Sequence, residues 1–489
     1  MKGILGFFAA AFVAAAGFLA VGCATDAARV AVGDGEPRFP FPQRAFDRLA
    51  VVPMLPTVRT QEEMDGMILG LFREMLRNDL IVDSNGPQTR ESFRMVFRHF
   101  QQGEIDFGIL DVSHIATSES QGYGMVILAY MAGSEEKLGL APYEWIFGVS
   151  NLRDYFDAML RTVLEFQSTA SGLFTLRLLG YQDAGLDGVT RGGYRIAGGV
   201  KTAPFTRDAD FGNATTSGNM DIIYALILAD RQWGSSGRYD YIGIARAMLA
   251  ELWAHCVHAQ YRFMLLGDWV NALGSPIHRN TTRTSDFMIS HLKAFRDADP
   301  AHDWQSVIDA SYNVIMEIRE AQNAIGNRNG FLPDFAVLGA NGWDVPPGNI
   351  VETFDYAFAY NAVRVPWRLG TGYILFGNAP IGASTLYDYV IRPLDDFARA
   401  FTEGDLVRLG PMYMDGTPFE WVNPNWFAPP FAVTAAAVGA DQAWVNSFWD
   451  HAPRHAWDFH GLGVYQGGTY MDYIRLLVLL TITGNFWMP

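Results

Sequence analysis

Gln61-Glu62-Glu63-Met64-Asp65-Gly66-Met67-Ile68-Leu69-Gly70-Leu71-Phe72-Arg73-Glu74-Met75-Leu76 decides the fold class. Met64, Met67, Ile68, Leu71, Met75 and Leu76 recur at the i, i+3, i+4, i+7 spacing of a helix that buries one face. The same period returns over 122–132, 152–167, 219–233, 240–265, 285–298, 302–321, 363–376, 386–403, 430–437 and 469–483. Several of these runs stop in a short polar or glycine turn, as at Asp230-Arg231-Gln232-Trp233-Gly234 and Phe376-Gly377-Asn378. No long alternating pattern marks a body built from strands. Roughly ten to twelve helices without a dividing linker read as one domain over residues 61–489. No repeat of fixed length is visible, which favours a closed helical barrel over stacked repeats. The expected fold class is all-α.

The chain has 489 residues, 49% of them hydrophobic and 14% aromatic, enough for a large core. Its net charge of −16 argues against nucleic acid and anionic membrane faces as partners. It suits a neutral polysaccharide or a polycationic one. Residues 1–22 read as a signal peptide: Lys2, then an uncharged run rich in Ala and Phe. Ala20-Val21-Gly22-Cys23 is a loose lipobox, so Cys23 is the expected lipidation site and the lipid anchor the only expected membrane contact. The expected location is outside the cytoplasm, as an anchored lipoprotein of the periplasm or cell surface, or otherwise secreted. Residues 23–60, with Phe39-Pro40-Phe41-Pro42, read as a tether and lead-in strap. Cys256 is the only other cysteine, so no disulfide framework is expected.

Thr117-Ser118-Glu119-Ser120-Gln121-Gly122-Tyr123-Gly124-Met125 places one carboxylate among small and hydroxyl residues, just ahead of the apolar run Val126-Ile127-Leu128-Ala129. Glu119 then lies at the positive end of a helix, where it can be held in one orientation as a general acid. The competing role is that of a capping-box partner.

This stretch resembles the T-S-E-G-Q-x-Y-G-M segment of glycoside hydrolase family 8, with Ser120 in place of the usual Gly. Four further segments resemble that family in the same order. They are Ser285-Asp286-Phe287-Met288, Gly330-Phe331-Leu332-Pro333-Asp334-Phe335, Tyr360-Asn361-Ala362-Val363-Arg364-Val365-Pro366-Trp367-Arg368, and Tyr470-Met471-Asp472-Tyr473 through Thr483-Gly484-Asn485-Phe486-Trp487. The resemblance covers residues 62–489. It implies an (α/α)6 barrel of six inner and six outer helices, inversion at the anomeric carbon, and Glu119 as proton donor.

An inverting enzyme also needs a base, with the two carboxyl groups roughly 6.5–9.5 Å apart to admit a water. In one branch of the family the base is the Asp of Y-D-A-x-R. Here that position is Asn361, whose amide cannot take a proton. Another branch has Asn there and a Glu upstream. Glu352, nine residues before Asn361, is the matching candidate base, with Asp355 second. Arg364 and Arg368 share a helical face. With Trp367 they either fix Asn361 and nearby carboxylates or make structural ion pairs.

Thr215-Thr216-Ser217-Gly218-Asn219-Met220-Asp221 resembles the family's A-[ST]-D-[AG]-D-x-D helix start. Ser217 stands where the resemblance implies a sugar-orienting Asp, Asn219 where it implies a second, and Asp221 keeps its carboxylate. Asp208 and Asp210 stand just upstream as candidate substitutes. Tyr123, Trp367, Trp421, Trp426 and Tyr465 are candidate platforms for a pyranose face.

No cofactor is expected. His255-Cys256-Val257-His258 reads as packed helix, and His451 with His455 lacks the intervening Glu of a zinc helix. The reading is an inverting endo-glycosidase, a monomer acting on a β-1,4-linked glucan, with chitosan or xylan as further options. The rival readings are a carbohydrate-binding lipoprotein on a catalytically impaired scaffold, motivated by Ser217, Asn219 and Asn361, and a polysaccharide lyase.

Overall fold

The computed structural model describes residues 36–99, 114–184, 190–197, 199–210, 212–270, 275–419, 424–450, 462 and 470–489. Cys23 and the signal segment, Trp421, His451, His455 and Tyr465 lie outside the described residues.

The helices among the described residues are α1 (Gln61–Asn78), α2 (Ser118–Met131), α3 (Leu152–Glu165), α4 (Thr216–Trp233), α5 (Tyr241–Cys256), the short α6 (Pro276–Arg279) and α7 (Ile289–Ala298). They continue with α8 (Trp304–Ala324), α9 (Val365–Phe376), α10 (Arg392–Thr402), α11 (Pro424–Val438), α12 (Gln442–Ser447) and α13 (Tyr470–Ile482). Contacts run α2 to α4, α7, α9, α11, α13 and back to α2, closing a ring of six helices. Outside it, α1 packs on α13, α3 on α2, α5 on α4, α8 on α7, and α10 and α12 on α11. Outer and inner helices alternate along the chain. This is an (α/α)6 barrel.

Sequence and position agree. An inner helix is covered on all sides, so it is apolar all round, whereas an outer helix needs only one apolar stripe. In α2 every residue from Ser118 to Met131 is buried except Glu119. In outer α1 the buried residues Met64, Ile68, Leu71, Phe72, Met75 and Leu76 form one stripe. Thr60 opens that helix with a capping box: its hydroxyl accepts from the Glu63 amide at 3.2 Å and its own amide donates to Glu63 Oε2 at 2.7 Å.

Two expected boundaries move. The run read over 240–265 ends as helix at Cys256, because His258 to Arg262 form a turn that lets Val257 pair with Met264. The run over 386–403 begins as a π-turn at Tyr387–Ile391 before α10. Short strands, missed by a search for long alternation, join the loops. Thr281–Arg283, Phe335–Gly339 and Gly342–Asp344 form one antiparallel sheet at the rim. The strap at 36–60 packs along the body. Backbone hydrogen bonds tie Phe41 to Ala132, Ala45 to Gly484, Val51 to Ile374 and Met54 to Ala436.

Helices α2 and α4 meet backbone to backbone. A Cβ on Gly122 would stand 2.6 Å from the Asp221 Cβ and 2.8 Å from the Gly218 carbonyl oxygen, and Gly218 backs directly onto Ser118. Only glycine permits that approach.

Candidate active site

The first turn of α2 carries Glu119. Thr117 is the N-cap, and its box partner is Ser120: the Ser120 amide donates to Thr117 Oγ1 at 3.3 Å and the Thr117 amide to Ser120 Oγ at 3.1 Å. Capping is thus done by residues either side of Glu119, which leaves its carboxylate outside the capping box. Two hydroxyls hold it. Ser217 Oγ donates to Oε1 at 2.7 Å and Ser118 Oγ to Oε2 at 3.1 Å. Ser217 reaches across because Gly122 and Gly218 bring α4 against α2. Arg283 Nη1 donates to the same Ser217 oxygen at 3.5 Å and lies 3.6 Å from Asp286 Oδ2.

Glu352 stands exposed on the loop before Asn361. Asp355 shapes that loop: its carboxylate accepts the amides of Ile350 and Val351 at 2.6 Å and of Glu352 at 3.0 Å. Burial raises the Asp355 carboxyl, and these amides pull the other way. With its oxygens turned onto backbone, Asp355 is a loop former. Asn361 Nδ2 donates to Glu352 Oε2 at 2.9 Å, and Asn361 Oδ1 accepts from Arg364 Nη2 at 2.7 Å. Asp334 fixes the backbone beneath, accepting the amides of Ala359 at 3.0 Å, Asn361 at 3.1 Å and Ala362 at 2.6 Å. Burial pushes Asp334 up to about 7 despite those amides.

Arg364 links the two carboxylates' surroundings. It holds Asn361, and its charge bears on Tyr123, Asp286 and His99, the last bonded at 2.8 Å to the N-cap Thr117 of the Glu119 helix. Two carboxylates, one on the ring wall and one on a rim loop, with polar side chains fixing each, are the equipment of acid–base hydrolysis.

The profile of Glycosyl hydrolases family 8 matches residues 195–376, which include Ser217, Asp286, Glu352 and Arg364. A β-glucanase of Niallia circulans is 27% identical over 377 residues, 76% of this chain and 77% of that protein. An endoglucanase of Bacillus sp. (strain KSM-330) is 26% identical over 460 residues, 92% of this chain and 82% of that one. A solved β-1,3-1,4-glucanase from Paenibacillus sp. X4 superposes with a TM-score of 0.72 at 25% identity, covering 93% of this chain and 100% of its own. Over residues 195–376 the chain matches glycoside hydrolase family 8, and it is a glycoside hydrolase. Rex8A of Paenibacillus barcinonensis, solved with xylose, shares the fold at a TM-score of 0.60 and 15% identity over 91% of this chain and 99% of its own.

Other expected site residues of this glycoside hydrolase are enclosed. Asp221 is 1% exposed and takes a bidentate pair from Arg368, Nη1 to Oδ1 at 3.0 Å and Nη2 to Oδ2 at 2.6 Å. His291 Nε2 meets the same Oδ1 at 2.8 Å. Burial opposes ionisation of Asp221, but Arg368 and His291 outweigh it and hold the carboxyl below its usual range. Asp221 and Arg368 therefore lock α4 to α9 rather than touch sugar. Tyr123 and Trp367, expected as sugar platforms, are 0% and 1% exposed and pack edge to face at 5.9 Å, so a pyranose cannot reach either face. Trp426 is half-buried, set edge-on to Tyr360 at 5.2 Å. Asn219 is structural: Nδ2 donates to the carbonyls of Phe174 at 3.0 Å and Thr215 at 2.8 Å, bonds a carboxylate cannot make. Asp208 turns into its own loop, Oδ1 accepting the Asp210 amide at 2.9 Å.

Sequence reading missed Ser118, Arg283 and the rim aromatics. Tyr413 is 43% exposed and stacks on Tyr356 at 6.4 Å, while Phe354 and Phe419 pack at 4.8 Å behind the Glu352 loop. The only signal for these was aromatic residues beside the loop that holds the candidate base.

Proposed function

We propose that this enzyme is an inverting endo-glycosidase of β-1,4-linked glucan, cellulose-like or mixed-linkage, with Glu119 as general acid and Glu352 as general base. The observation that carries the reading is that Glu119 is the one half-buried break in an otherwise buried inner helix, while Glu352 stands on the loop that Asn361 and Arg364 hold. Glu119 protonates the glycosidic oxygen as the bond to the anomeric carbon breaks. Glu352 takes a proton from a water attacking the opposite face. Asn361 supplies no base of its own. It keeps Glu352 aimed, and its amide leaves the carboxylate's second oxygen for water. The names of the relatives, β-glucanase, endoglucanase and β-1,3-1,4-glucanase, favour glucan over chitosan and xylan. We further propose export on a lipid anchor at Cys23, checked by metabolic labelling with a fatty acid and its loss in Cys23→Ala.

The test is reducing-end release by the chain from residue 24 on barley β-glucan, carboxymethyl-cellulose, chitosan and xylan, with the product anomer read by proton NMR. Release from a β-glucan, an α-anomeric first product, and a loss of about 10²–10⁴ in kcat for Glu119→Gln support the reading. Full activity of Glu119→Gln or a β-anomeric product overturns it.

A further inference from the structure

Position 217 carries a hydroxyl, yet the site is not short of a second carboxylate on the acid's side. Asp286 is fully buried, and among the described residues neither of its oxygens accepts a hydrogen bond. A buried carboxylate without donors is costly, and such a group persists where its charge is used. Its near partner is Arg283, at 3.6 Å. The guanidinium of Arg283 is itself held, with its carbon 5.3 Å above the Phe335 ring. Its Nη1 points to Ser217 Oγ, and Ser217 spends its single proton on Glu119 Oε1.

We propose that Asp286 is a positioning residue for the acid: it anchors Arg283, which donates to a lone pair of Ser217 and so keeps the Ser217 hydroxyl hydrogen directed to Glu119. The proposal rests on Glu119 being the acid. The arrangement has an electrostatic side. Asp286 offsets the charge of Arg283, which stands 3.5 Å from the hydroxyl that holds Glu119. The coupling is mutual. Burial first, and Glu119 among the charges, raise the Asp286 carboxyl, while Arg283, Arg364 and Arg368 lower it. The charged groups bearing on Asp286 are thus Arg283 from the rim sheet, Arg364 and Arg368 from the start of α9, and Glu119 from α2, with Arg368 committed to Asp221.

The charge that the family's pattern places at position 217 is thereby supplied from the neighbouring wall of the ring, one residue removed from the acid rather than beside it.

The experiment measures kcat and KM against pH for the wild type, Asp286→Asn, Asp286→Glu and Glu119→Gln, with circular dichroism and Tm for each. Asp286→Asn is expected to move the alkaline limb of kcat/KM about one pH unit lower and to cut kcat with little change in KM. Asp286→Glu is expected to restore most of that limb. An Asp286→Asn profile of unchanged shape, with only a lower Tm, overturns the inference and leaves Asp286 structural. Glu119→Gln separates the two claims. If it is inactive while Asp286→Asn keeps the wild-type profile, this inference alone falls. If it is fully active, the acid assignment falls with it.

Discussion

Asn361 donates its side-chain amide to Glu352 across 2.9 Å while its carbonyl oxygen takes a hydrogen bond from Arg364 at 2.7 Å. An amide can face a carboxylate with one end and a guanidinium with the other. A second carboxylate at 361 would face only the guanidinium.

Asn361→Asp is therefore expected to hold a proton on the neighbouring base. The acid limb of kcat/KM should move to higher pH by about one unit, because a new negative charge opposes ionisation of Glu352. A pH–rate profile on the most responsive polymer checks this, and an acid limb that stays in place removes Glu352 from the base role.

Asp355→Ala removes the acceptor for the amides of Ile350, Val351 and Glu352. The expected outcome is a loss in kcat of about 10²-fold, the scale of a misplacement near 1 Å. Tm should change little, since the loop lies outside the ring. Comparing kcat with Tm decides between loop former and general stabiliser.

Ser217→Ala takes away one of the two hydroxyls on Glu119. A hydrogen bond to a charged group is worth about 1.5–3 kcal/mol, so kcat should fall roughly ten- to a hundredfold with KM nearly constant. An unchanged kcat would show that Ser118 suffices.

Asp221→Asn leaves Arg368 buried without its charge partner. The expected cost in unfolding free energy is about 3–5 kcal/mol, read by denaturant titration. The pH dependence follows from the lowered carboxyl. Its folded value lies below the unfolded one near 3.9, so the stabilisation is present above about pH 4 and is lost as pH falls through the folded value. The variant should show a flatter acid limb of stability than the wild type.

The ring was legible because inner and outer helices carry different patterns. Outer α1 shows a stripe, and inner α2 is apolar throughout. Glu119 was legible as the single carboxylate in a buried helix start, and Glu352 through the short spacing to Asn361. The meeting of Ser217 with Arg283 and Asp286 was not, because Arg283 is 66 residues from Ser217 and their contact depends on two packed walls. Tyr123 and Trp367 failed as platforms for a related reason. On a helix covered on all sides an aromatic ring gives no sign of whether it faces the cleft or its neighbours. Arg364 and Arg368, four apart, looked alike on one face, yet one serves Asn361 and the other Asp221. The short turn Ala362–Arg364 ahead of α9 separates their duties.

The glycine contact between α2 and α4 gives the two carboxylates different thermal fates. Glu119 is mounted on two helices whose backbones touch at Gly122 and Gly218, so its alignment survives until the ring itself melts. Glu352 depends on a handful of hydrogen bonds around Asp355 and Asn361, which open locally and at lower free energy than the whole molecule. On warming, turnover is expected to fade while the helical signal is still intact, and cooling from that interval to restore it.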